Sequence, residues 1–243
     1  MTQLLLPFPE QPDYAAADFL QAASNADALA WLRDAASWPG GRLVIWGEEG
    51  CGKTHLLSVW AAMSGGSLQA GSALRGLPER PGGGGLAIDD ADRPAEEIAL
   101  LHLLNAAQEA AVPVLMAARQ PPARWLLRLP DLASRVRGAA AVRVLPPEDD
   151  LLRALLARLL STRQIAVTEE VQAWLLRRLP RTPAAMREAA AALDREALTD
   201  GRAVTRAIAA RVLGRIESRS VRQTCELCAV LGPATSPYHD KLR

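Results

Sequence analysis

Apolar positions in the first part of the chain gather into short solid runs: Leu43-Val44-Ile45-Trp46, Leu86-Ala87-Ile88 and Val112 to Ala117. Runs of this kind are the pattern of strands covered on both faces, whereas half-exposed strands alternate. Between them apolar residues recur at helical spacing. Asn25 to Ala36 carries Ala28, Leu29, Trp31 and Leu32 on one face, and Lys53 to Met63 and Glu96 to Ala110 behave alike. Strand and helix in alternation predict a parallel sheet, because parallel neighbours need a crossover between them. After Pro146-Pro147 the strand-like runs stop. The segments Glu148–Arg163, Thr168–Leu179, Pro183–Leu198 and Val204–Leu213 all read as helices, and Thr182-Pro183 offers a capping hydroxyl followed by a first-turn proline. The expectation is an α/β domain over 13–146, a small all-helical domain over 147–214, an extended Pro- and Leu-rich tail over 1–12, and a poorly ordered tail over 215–243. No internal repeat is found.

Composition narrows the class. Of 243 residues, 49% are hydrophobic and 23% charged, which suits a core-forming chain. A net charge of +1 argues against coating nucleic acid by bulk charge. No apolar run approaches the roughly 20 residues that cross a bilayer. The start, Met1 to Asp13, lacks a basic region and a small-residue cleavage site, so no signal peptide is expected and the location is expected to be cytoplasmic. Cys51, Cys225 and Cys228 are too few for a disulfide framework. Among 28 basic residues only Lys53 and Lys241 are lysines. A compact ammonium kept against an arginine background marks Lys53 as chemically required.

Lys53 lies in Gly47-Glu48-Glu49-Gly50-Cys51-Gly52-Lys53-Thr54, a full G-x-x-x-x-G-K-[ST] phosphate loop between an expected strand and an expected helix. Gly47, Gly50, Cys51, Gly52 and His55 line such a loop, whose amides and helix N-terminus turn toward phosphate. Lys53 would reach the β- and γ-phosphates of ATP or ADP, and Thr54 would ligate Mg2+. The next strand ends in Asp89-Asp90. Asp89 is the expected metal-side acid and Asp90 the residue that positions attacking water; Asp92 reads as a capping or surface residue. His55 and His102 read as packing or capping residues rather than catalysts.

Gly52–Leu57, Ile88-Asp89-Asp90, His102–Asn105 with Glu109, Leu132–Arg135, and Arg187-Glu188 with Leu193 occur in this order. The ordered set, from about Tyr14 to Gly214, resembles the AAA+ module of the DnaA-related family. The resemblance implies an AAA+ P-loop NTPase fold with a central parallel sheet followed by a small helical lid. A basic DNA-reading domain does not fit in 215–243, so sequence-specific DNA reading is not expected. Gln3-Leu4-Leu5-Leu6-Pro7-Phe8 resembles the sliding-clamp-binding peptide of the Hda-type regulatory inactivators of DnaA. Leu6 and Phe8 would enter an apolar pocket, with Leu4 and Pro7 beside them and Gln3 orienting the segment.

Further roles follow from that resemblance. Arg135 would be an arginine finger acting in trans on a partner's nucleotide, with Arg137 a nearby rival because Val136-Arg137-Gly138 lacks the family's usual aromatics. Arg187 would contact nucleotide from the lid. The implied partners are the β-subunit sliding clamp of DNA polymerase III and DnaA itself, with a homo-oligomer also open. Arg119 departs from the family: it stands where a small polar or acidic residue is expected, which weakens the case for fast intrinsic hydrolysis. The leading expectation is therefore a nucleotide-bound adaptor that promotes hydrolysis of DnaA-bound ATP. Its rivals are a DNA-associated AAA+ ATPase such as a helicase loader, and a self-sufficient ATPase. Cys225-Glu226-Leu227-Cys228 is half of a zinc pattern, with only His239 nearby, and reads as two free thiols. Arg215, Arg219 and Arg222 form no DNA-reading helix.

Overall fold

The computed structural model describes residues 20–79, 81–200 and 204–216. Five parallel strands build one sheet: β1 (Arg42–Trp46), β2 (Ser67–Ala70), β3 (Leu86–Asp89), β4 (Val114–Ala118) and β5 (Ala140–Arg143), in the order β2-β3-β4-β1-β5. β1 pairs along its whole length with β4, from Arg42 opposite Val114 to Trp46 opposite Ala118. It pairs with β5 on its other side.

Alternation within the apolar runs sorts two cores. Leu43, Ile45, Ala87, Leu115, Ala117 and Val142 face α1 (Ala26–Leu32) and α2 (Lys53–Ser64), where Ala28, Leu56, Leu57 and Trp60 cover them. Val44, Leu86, Ile88, Val114 and Met116 face α3 (Glu97–Glu109) and α4 (Pro130–Arg137), whose Leu100, Leu103, Leu104, Leu132 and Val136 are buried. The runs are apolar throughout because both faces are covered.

The sequence pattern needs several corrections. The helix expected over Asn25–Ala36 stops at Leu32, and 3₁₀ turns at Ala35–Ser37 and Pro39–Gly41 follow it. The strand expected from Val112 starts at Val114: the Val112 amide still closes α3 on Ala107 O, and Pro113 has no N–H to give a ladder. β2 and β5 are edge strands with largely exposed residues, so they carry no solid apolar run. α4 owes its start to a distant residue, since the Glu97 carboxylate accepts the Arg128 and Leu129 amides at 2.9–3.0 Å.

Contacts divide the chain into two units. The first spans residues 1–155 with Arg181–Pro183, and the second Leu156–Pro180 with 184–243. α5 (Asp149–Thr162) therefore begins in the sheet unit. The second unit holds the rest of α5, α6 (Glu169–Leu176), most of α7 (Pro183–Asp200) and α8 (residues 206–216). Leu159, Leu160, Val171, Leu175, Ala189, Leu193, Ala209 and Val212 are buried there. Trp174 lies under the guanidiniums of Arg178 and Arg206, at 4.4 and 5.5 Å. α8 outruns its expected end at Leu213, and Arg215, expected in the tail, joins Arg211 on the Glu196 carboxylate. Among the described residues no helix is long and apolar enough to cross a membrane.

In the sheet unit, Glu148 accepts both the amide and the hydroxyl of buried Ser24, at 2.7 and 2.9 Å. Its own backbone N–H chiefly holds its carboxyl below the usual carboxylate range; a smaller opposing effect of burial and the two Ser24 bonds follow. A depressed folded pKa means that the contribution is complete above the unfolded value of about 4.3 and is lost as pH falls through the folded one. Glu148→Gln should therefore lower the melting temperature at pH 7, and the gap from wild type should close as pH drops below about 4.

Candidate nucleotide site

The phosphate loop leaves the C-terminal end of β1 and enters α2. Gly50 and Gly52 hold φ of +79° and +100°, a region that glycine reaches without a Cβ penalty. Gly47 has a different reason to be glycine: a Cβ there would lie 2.3 Å from Val144 O of the neighbouring chain segment. The Gly47 amide donates to Ala118 O at the end of β4, which pins the loop to the strand beside it. Gly52 caps α2 with no side-chain bond, and the first-turn amides, as at any helix start, lack intrahelical acceptors.

Lys53, Thr54 and Asp89 meet here. Lys53 is only 8% exposed, and its ammonium donates to the carbonyls of Gly47 at 2.9 Å and Glu48 at 2.7 Å, with Cys51 Sγ at 3.6 Å. The Thr54 hydroxyl donates to Asp89 Oδ2 at 2.7 Å. Residues 35 positions apart are thus joined through neighbouring elements. Thr54 and Asp89 supply only oxygen donors, which fits Mg2+: that ion takes one or two protein oxygens and completes its shell with phosphate and water. Among the described residues no three His, Cys, Asp or Glu side chains gather as a metal cage. Asp90 follows in the left-handed region at φ +47°, its amide on Asp89 Oδ1 and its side chain exposed.

A hollow beside the loop is lined by Leu20, Asn25, Cys51, Gly52, His55, Leu56, Leu151, Leu155 and Pro183, mostly apolar as a planar base would require. His55 is buried in this wall and His102 is exposed on α3.

Two residues near the loop gain partners that the sequence did not disclose. Arg119, just past β4, pairs with Glu49 of the phosphate loop at 2.9 Å, while its amide donates to Asp92 at 3.1 Å. Asp92 is thereby a structural acceptor linking the ends of β3 and β4. At the opposite end of β1, Arg135 on α4 donates to Gln108 at 2.8 Å, and Arg137 is exposed. Arg42 precedes Gly47, the first residue of the phosphate loop, by five positions along the strand, roughly 16 Å. Arg187 lies half-buried on α7 in the second unit. Gln3, Leu4, Leu6, Pro7, Phe8, Arg219, Arg222, Cys225, Cys228 and His239 lie outside the described residues.

Domain III of the Thermotoga maritima replication initiation protein DnaA aligns with TM-score 0.66 and 20% identity, over 86% of this chain and 98% of that one. DnaA bound to AMPPCP and single-stranded DNA gives 0.57 and 16%, over 79% and 69%. A single-site variant of Thermotoga maritima RuvB gives 0.57 and 19%, over 80% and 68%. The chain shares the α/β fold of these AAA+ P-loop NTPase structures. No protein-family model matches the sequence.

Within this fold the loop is held from outside as well. A Cβ on Gly50 would stand 2.6 Å from Thr182 Cγ2 and 3.1 Å from Thr182 Cβ. Gly50→Ala should cost about 2 kcal/mol or more, from left-handed strain plus this clash. Adding Thr182→Ser, which removes Cγ2, should recover part of the loss in a double-mutant cycle of thermal melts.

Proposed function

We propose that this chain is a nucleotide-bound AAA+ adaptor of the Hda type. In this reading it holds ADP or ATP with Mg2+, docks on the DNA sliding clamp, and promotes hydrolysis of ATP bound to DnaA in the cytoplasm. The observation that carries the nucleotide part is the grouping of buried Lys53 with half-buried Thr54 and Asp89 at the C-terminal edge of the sheet. There the strand order switches direction around β1, the usual crevice for a ligand on such sheets.

The chain's residues divide the work. Amides of the Gly50–Thr54 turn receive phosphate oxygens. Lys53 exchanges two carbonyls for the β- and γ-phosphates, keeping its charge solvated throughout. Thr54 and Asp89 hold Mg2+, which neutralises charge on the phosphates when bound. Asp90 orients water from its exposed position, and Arg187 contacts the nucleotide from the lid. Arg119 in ion pair with Glu49 replaces the small polar group expected on that side, in keeping with slow hydrolysis by the chain alone. Arg135 belongs to the far end of β1, in keeping with action on another subunit. Gln3, Leu4, Leu6, Pro7 and Phe8 dock on the clamp.

Lys53→Ala should weaken ADP binding at least about a hundredfold by calorimetry, because a charge-assisted phosphate contact is lost at a desolvated position. Surface binding to the sliding clamp should disappear in the Gln3→Ala/Leu6→Ala double variant. Arg135→Ala should bind the clamp normally and fail to stimulate hydrolysis of DnaA-bound ATP. A folded, ADP-loaded wild type that ignores the clamp would defeat the adaptor reading. The likeness to RuvB and to single-stranded-DNA-bound DnaA favours a second reading, a DNA-associated ATPase such as a helicase loader. That protein would bind single-stranded DNA with a steep salt dependence, whereas a self-sufficient ATPase would turn over alone, with turnover lost in Asp90→Asn.

A further inference from the structure

Gln108, near the C-terminal end of α3, accepts from two arginines on its single amide oxygen. Arg135 reaches it from α4 at 2.8 Å, and Arg42 reaches it from the first position of β1 at 3.4 Å. Among the described residues neither guanidinium is paired with a carboxylate. Arg42 Nε is buried and has no hydrogen-bond partner. Burial, and then the neighbouring charge of Arg135, lower the pKa of Arg42 from its ordinary value. The chain nevertheless holds Arg42 in place: it lies over Gly40, where a Cβ would stand 2.6 Å from its terminal nitrogen and where φ is +57°. Two cations gathered on one neutral acceptor repel each other, and an oxyanion bridging them would relieve that repulsion while filling forked donors on both.

We propose that Arg42 and Arg135 form one anion receptor, two guanidiniums presented side by side on Gln108, which takes the terminal phosphate of a nucleoside triphosphate held by another AAA+ subunit. The second subunit as source of that phosphate rests on the reading of Arg135 given above; the receptor itself rests only on the geometry of Arg42, Gln108 and Arg135. Arg42 then contacts the phosphate together with Arg135, and Gln108 is a positioning residue. No bond is made or broken by these groups; they stabilise charge on the transferred phosphoryl oxygens.

Two measurements on the full chain test this. In the first, the ADP-loaded protein is titrated with inorganic pyrophosphate while the arginine Nε–Hε NMR signals are followed. Arg42 and Arg135 should move together on one isotherm. Arg137, and Arg143 whose guanidinium lies 5.3 Å from the Trp46 ring centre, should stay in place. Gln108→Glu sets a carboxylate between the arginines and should abolish the response without lowering the melting temperature. Signals of all arginines shifting alike, or no shift at Arg42 and Arg135, would overturn the receptor. In the second measurement, hydrolysis of DnaA-bound ATP is followed against chain concentration. Arg42→Ala should lower the maximal rate at least tenfold and leave half-saturation within threefold, with partial rescue by Arg42→Lys. A wild-type rate in Arg42→Ala alongside a dead Arg135→Ala would overturn the shared role. A pyrophosphate response in a wild type that stimulates nothing would uphold the receptor and defeat the reading in trans.

Discussion

Pairing of β1 with β4, instead of with β2 which follows it in sequence, fixes where the chemistry of the sheet unit lies. β4 lies between β1 and β3, so the residue after Ala118 stands beside the phosphate loop with the end of β3 one strand further on, and the Gly47 amide closes the seam on Ala118 O. Because the strands are parallel, all loops of one kind emerge on one edge. Lys53, Thr54, Asp89 and Arg119 therefore share the C-terminal edge, while Arg42, Gln108 and Arg135 share the other. A shift in strand order would separate each group.

The phosphate loop and its acid were legible because their chemistry is local. Glycines at required backbone angles, a lone lysine and a hydroxyl lie in eight consecutive residues, and Asp89 ends an apolar run. The three interior strands, β3, β4 and β1, were legible for a related reason, since burial on both faces leaves few polar positions to blur their apolar runs. What stayed hidden depends on residues far apart. β2 and β5 exist through edge pairing, not through their own composition. α4 needs a carboxylate 31 and 32 residues upstream of the amides it caps. Arg42 meets Gln108 across 66 residues, and Arg119 meets Glu49 only after β1 and β4 have paired. No window of sequence contains either pair.

Lys53 illustrates how a charge is kept in a nearly closed place. At 8% exposure its ammonium would be costly without partners, and two loop carbonyls replace the lost water. Those carbonyls are available only because the loop turns through Gly50 and Gly52. The same turn opens α2, whose N-terminal amides lack helical acceptors, so the helix start and the Lys53 charge both favour an anion here.

α3 has a consequence of a different kind. Glu97, its first residue, grips the start of α4, and Gln108, next to its last, grips Arg135 near the end of α4. Thirteen helical residues make a rod of about 20 Å. α4 is therefore braced at both ends by one rigid strut, and the strut begins just beyond the acidic turn that follows β3. The reach of Arg135 is set by the length of α3, so lengthening or shortening that helix by a turn would release one grip or the other.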